Sequence, residues 1–153
     1  MNDRIKNLEP FWGEWYLTSD KPLGRGGFGA VYEIERRELG IVFKAALKVI
    51  SIPKDPDEYR AAIAEGRSED STSKYFRNMV ESMSKEFALM DMVKGHTNIV
   101  DYADHKIIER SDEFGWDILI RMELLTPLEK YMIANPLDEN EEISLGIDIC
   151  SAL

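Results

Sequence analysis

The sequence predicts an α+β fold, and three observations predict it. A glycine-rich run at residues 23–31 lies between two segments of strand character. A further alternating segment, Ile41 to Ile50, follows directly. From about Tyr75 the spacing of apolar residues lengthens to that of a helix.

The run Leu23-Gly24-Arg25-Gly26-Gly27-Phe28-Gly29-Ala30-Val31 places four glycines within six residues. Without side chains, its N–H groups can lie directly against an anion such as a phosphate. G-x-G-x-x-G also opens dinucleotide-binding folds, where the glycines lead into a helix that holds the pyrophosphate. Here Ala30, Tyr32 and Ile34 alternate with Glu33 and Glu35, a period-two strand pattern. Strand, glycine turn, strand reads as a flap closing over a ligand; the alternative is an ordinary glycine-rich hairpin.

Composition narrows the class. With 153 residues, 44% hydrophobic and 31% charged, the chain can bury a core. A net charge of −10 argues against nucleic acid or anionic membrane as the main partner. No apolar run approaches a membrane span, and the N-terminus lacks a signal-peptide apolar region. Cys150 is the single cysteine, so no intrachain disulfide forms and a reducing, cytoplasmic setting is expected. His96 and His105 read as structural, and no metal site is expected.

Residues 1–14 form an N-terminal extension whose Phe11 and Trp12, with Trp15, pack aromatics on the first strand. Strand one runs from Trp15 to Leu23, strand two from Ala30 to about Arg37, and Glu38-Leu39-Gly40 turns the chain. In strand three, Ile41 to Ile50, Ala46 and Lys48 share a face about 7 Å apart. A small residue beside a cation suits a flat ring with a phosphate tail; alternatively Lys48 snorkels from a strand edge. Pro53 and Pro56 stop the strand. Lys54 to Lys74 is polar, weakly helical at 58–63 and then a solvated, mobile loop over Gly66 to Ser73.

A helix is expected from Tyr75 to Lys94, with Met79, Met83, Met90 and Val93 on one stripe and Phe76 and Phe87 flanking it. Glu86 lies in that stripe, where a carboxylate needs a cation, and Lys48 is the candidate; a rotated helix would instead put Glu86 in solvent. Gly95 caps the helix. Tyr102 to Glu109 and Trp116 to Glu123 read as strands four and five around the loop 111–115. Ile118, Ile120 and Met122 share a face of strand five. Thr126-Pro127 starts a short helix to about Ala134. Asp138 caps a last helix with Glu139, Glu141 and Glu142 in its first turn and Ile143, Ile147 and Cys150 as its apolar positions. No Gly or Pro closes it, so the sequence is expected to stop inside an element.

At this point the chain resembles the amino-terminal lobe of a protein kinase, most like bacterial serine/threonine kinases of the eukaryotic type. Leu23 to Val31 resembles the kinase glycine loop G-x-G-x-x-G-x-V. Ala45 to Lys48 looks like V-A-I-K, and Lys94 to Val100 is similar to the K-G-H-P-N-I-V turn. The match covers about residues 15–153. It implies a five-stranded antiparallel sheet with helix C over residues 15–125, an insertion at about 53–74, and the incomplete start of a carboxyl-terminal lobe at 126–153.

The resemblance implies that Lys48 holds the α- and β-phosphates of ATP and that Glu86 pairs with Lys48. Gly24, Arg25, Gly26, Gly27, Phe28 and Gly29 would cover the phosphates. Leu23, Val31 and Ala46 would roof the adenine, with Met122 as gatekeeper. The Glu123 carbonyl and the Leu125 backbone would bond the adenine edge. Glu129 would touch ribose, and Met90 would join a regulatory stack.

The family's H-R-D loop and D-F-G motif do not occur in the sequence, so catalytic base and magnesium ligands are missing. The expected reaction is transfer of the ATP γ-phosphoryl group to protein hydroxyls by a full-length parent using ATP and Mg²⁺, with this chain alone inactive. A pseudokinase or regulatory nucleotide-binding scaffold is the alternative, and a small-molecule kinase of related fold a weaker one. The expected partners are ATP and, through the missing lobe, a protein substrate. Self-association through the terminal helix is also expected.

Overall fold

The computed structural model describes residues 2–152, so Met1 and Leu153 fall outside the description. It is an α+β fold built on a six-stranded antiparallel sheet. The strands are β1 (Tyr16–Leu17), β2 (Gly24–Gly26), β3 (Gly29–Glu38), β4 (Ile41–Ile52), β5 (Tyr102–Glu109) and β6 (Trp116–Met122). Their order is β1-β3-β4-β6-β5, and β2 pairs with the start of β3. The helices are α1 (Asn2–Lys6), α2 (Pro56–Ala64), α3 (Glu69–Met92), α4 (Leu128–Ala134) and α5 (Glu139–Ser151).

Alternation along the two long strands gives the sheet two buried faces. Ala30, Tyr32 and Ile34 of β3, Ala45, Leu47 and Val49 of β4 and Leu119 of β6 pack against Ile5, Phe11 and Trp15. Ile50, Ile52, Ile118 and Ile120 face the other way, against Phe76, Val80 and Phe87 of α3. The amino-terminal aromatics therefore cover a whole face of the sheet, beyond the first strand. The β3–β4 hairpin closes through Leu39 at φ 48° and Gly40 at φ 83°. Two successive positive φ values match the twist of antiparallel strands.

The expected strand Trp15–Leu23 is strand only at Tyr16–Leu17, and a separate strand, β2, forms inside the glycine run at Gly24–Gly26, which raises the count from five to six. Pro22 has no N–H to offer a ladder, and Ser19 Oγ accepts from Lys21 N at 3.1 Å, bending the chain between β1 and β2. The expected loop before the long helix is also corrected. Asp55 accepts from Glu58 N and starts α2 at Pro56. Ser68 accepts from Ser71 N, and Glu69 and Asp70 occupy the first turn of α3. A Lys74–Asp70 pair at 2.7 Å adds an i,i+4 contact, so Gly66–Ser73 is mostly helix start rather than loop.

A polar cluster ties the chain's start to the β5–β6 hairpin. Asp117, 2% exposed, accepts from Arg4 at 3.1 Å, Arg110 at 3.2 Å and Ser51 Oγ at 2.7 Å. Arg4 also reaches Glu113 at 2.7 Å and Ser51 Oγ at 2.9 Å. Arg110 adds the Pro53 carbonyl at 3.0 Å. Nothing in the local sequence announced this cluster, because its members are up to 113 positions apart. Among the described residues no helix is long and apolar enough to cross a membrane.

Candidate functional site

The register of the sheet sets several expected site residues side by side. Val31 faces Lys48, and Lys48 faces Ile120, which faces His105. In the next row Glu33 faces Ala46, and Ala46 faces Met122. Directly opposed residues share a face. Val31, Ala46, Lys48 and Met122 therefore lie together on the face that α3 packs against. Gly24 pairs with Val31, and the Leu23 N–H donates to the Val31 carbonyl at 2.7 Å, holding the glycine run at the edge of this patch. Leu125 and Glu129, after β6, are exposed, and the Glu123 N–H donates to Asp101 O at 2.9 Å.

Glu86 is not brought to Lys48. It is exposed, and no ion pair joins the two among the described residues. The buried stripe of α3 runs Thr72, Phe76, Val80, Phe87, with Met83 and Met90 half-buried beside it; Met79 and Val93 lie further out. The helix thus presents Phe87, not Glu86, to the row that contains Lys48. Phe87 packs on the His105 ring with centroids 4.1 Å apart, which turns its neighbour Glu86 into solvent. The charges nearest the patch are paired otherwise: Lys44 Nζ donates to Glu33 Oε1 at 2.7 Å. That bond and the Glu33 charge hold the Lys44 ammonium above its ordinary value.

Of the four glycines in the run, the fold requires only Gly29. It sits at φ 128°, and a Cβ there would lie 2.1 Å from the Val49 carbonyl oxygen. Gly24, Gly26 and Gly27 have no positive φ, and a Cβ on any of them would meet nothing within 4 Å. The turn itself is open, with Phe28 82% exposed.

A cleft of about 380 Å³ adjoins the turn. Arg25, Gly26, Gly27, Phe28 and Gly29 line it, together with residues of β4, α2 and α3. Val31, Ala46, Lys48, Met122 and Leu125 do not. The expected nucleotide patch and this cleft are thus neighbours that share the glycine turn. The sequence reading missed the cleft's own residues, Ile50, Ile52, Lys54, Met79 and Met83 among them, because they come from separate segments with no common motif. Among the described residues no group of three or more His, Cys, Asp or Glu is placed so that it could hold a metal ion.

Tyr102, at the end of the Ala46–Met122 row, hydrogen-bonds His105 Nδ1. Burial, then the charges of Asp104 and Asp91, hold its phenol above the ordinary value. The folded protein therefore keeps the Tyr102 proton more tightly than the unfolded chain does. Stability is intact below the unfolded value of about 10 and is lost as pH rises through the folded one. The alkaline fall in thermal midpoint is expected to be shallower in Tyr102→Phe. Identical slopes in melts taken across that range would contradict the assignment.

No protein-family model matches the chain.

Proposed function

We propose that this chain is the ATP-binding lobe of a serine/threonine protein kinase. In this reading the glycine turn covers the phosphates, and Lys48 supplies the positive charge for the α- and β-phosphates. Val31, Ala46 and Met122 form the apolar surface for adenine, with Leu23 and Leu125 at its margin. The parent enzyme would use ATP with Mg²⁺ and pass the γ-phosphoryl group to a protein hydroxyl.

The observation that carries the proposal is the surplus of glycine. Gly24, Gly26 and Gly27 are demanded neither by backbone angle nor by packing, and for Gly24 and Gly26, in β2, glycine costs roughly 0.5–1 kcal/mol relative to alanine. Close approach of a ligand to the bare backbone accounts for that cost. Lys48 supports it: half-buried on the same face as Ala46, it has no ion-pair partner among the described residues.

Calorimetric titration with ATP tests the reading. Lys48→Met is expected to weaken ATP by about tenfold or more, one lost charge-assisted contact, with an unchanged thermal midpoint. Gly27→Val should do the same by occupying the space above the backbone. A wild-type chain that ignores millimolar ATP, or variants that bind it equally well, would refute the proposal. The 153-residue chain by itself is expected to show no magnesium-dependent γ-phosphate transfer. The exposed Glu86 favours one second reading, a regulatory nucleotide-binding scaffold in which the Lys48–Glu86 pair is never made.

A further inference from the structure

We infer that the cleft between the glycine turn and α3 is a second ligand site, for a linear amphiphile that ends in a carboxylate. Its interior is apolar, lined by Ile5 of α1, Ile50 and Ile52 of β4, and Phe76, Met79 and Met83 of α3. At about 380 Å³ it falls in the range of small-molecule sites, which are mostly apolar with a few placed polar groups. Two of its residues are methionines, whose unbranched, polarizable side chains refit around flexible chains. These walls carry no group to read a base or a sugar. Lys48, Ala46 and Met122 do not line it, so the inference shares only the glycine turn with the nucleotide reading.

The head group follows from the charges. The chain carries a net charge of −10, and many of its cations, Arg4, Lys44, Arg110 and Arg121 among them, are held in ion pairs. Arg25 and Lys54, both lining the cleft, have no ion-pair partner among the described residues. The one carboxylate in the lining, Glu58, is engaged: its Oε2 accepts from the Lys54 backbone N–H at 2.6 Å. An apolar cleft with two uncommitted cations selects an apolar chain with an anionic end, and it disfavours a cationic one.

The test uses sodium decanoate below its micellar concentration, with decylamine as the opposite-charge control. Titration into the chain carrying ¹³C-methyl methionine should shift Met79 and Met83 while leaving Met132, on α4, in place. Lys54→Glu should weaken decanoate by about tenfold, the loss of one favourable charge pair and its replacement by repulsion. Met83→Trp should abolish binding by filling the cleft, and Met79→Trp, at a more exposed position, replaces it if that variant does not fold. Lys48→Met should bind decanoate normally, which separates failure here from failure of the ATP reading. Uniform shifts at all methionines, equal binding of decylamine, or no binding at all would overturn the inference.

Discussion

Replacing Asp117 by alanine is expected to lower the stability of this domain by about 3–5 kcal/mol, because it leaves two arginines, one of them buried, to share the single carboxylate of Glu113. The Arg110 side chain is 2% exposed, and Asp117 and Glu113 are its two carboxylate partners. Arg4 loses its 3.1 Å contact in the same step, and Ser51 Oγ loses the acceptor it reaches at 2.7 Å. Neither arginine can shed its proton to relieve the cost. The Nε atoms of both guanidinium groups are already buried without a partner, so no spare acceptor stands ready to compensate. Urea denaturation reads the effect directly as a lower midpoint at constant slope. Arg4→Ala, with its side chain a quarter exposed, should cost less, since water replaces part of what is lost. A loss below about 1 kcal/mol for Asp117→Ala would mean that the pair behaves as a solvated surface contact.

Gly29→Ala should also cost several kcal/mol, for two independent reasons. A side chain at φ 128° is strained, by about 1–3 kcal/mol. The new Cβ would sit 2.1 Å from the Val49 carbonyl oxygen, backbone that cannot turn aside without opening the β3–β4 ladder. Gly27→Ala, one turn residue away, should stay within about 0.5 kcal/mol of wild type, as exposed substitutions do. The contrast separates Gly29, which the fold requires, from Gly24, Gly26 and Gly27, which it does not. Equal thermal midpoints for the two variants would remove that distinction, and with it the main support for a phosphate cradle.

Much of the sheet was legible because its signals are local. Tyr102–Glu109 is the strand read from the sequence, and the strands around Leu39-Gly40 are those that alternation and the turn demanded. The Asp138 cap, completed by Glu141 as a capping box, was equally visible. The start of α3 was not: its Ser68-Glu69-Asp70 cap opens a run of Ser, Thr and Lys that composition alone makes look like a loop. The early end of the first strand at Leu17, and its resumption as β2 inside the glycine run, were hidden because Thr18 and Leu23 still bond to β3 on either side of the bend.

For the candidate site, the sequence by itself determined which residues share a strand face. Ala46 with Lys48, and the glycine run beside Val31, follow from a period of two that no packing can change without a register shift. The tertiary structure alone decided where α3 points. Phe76, Met79, Val80, Met83, Phe87 and Met90 spread apolar surface over much of that 24-residue helix, so a wheel admits more than one buried stripe. Packing against β4 and β5 selected the one that buries both phenylalanines, the larger apolar area, and Phe87 on His105 leaves Glu86 in water. The same choice opened the cleft beside the glycine turn. A helix's rotation about its own axis is set by the sum of its contacts, and that sum belongs to no stretch of sequence.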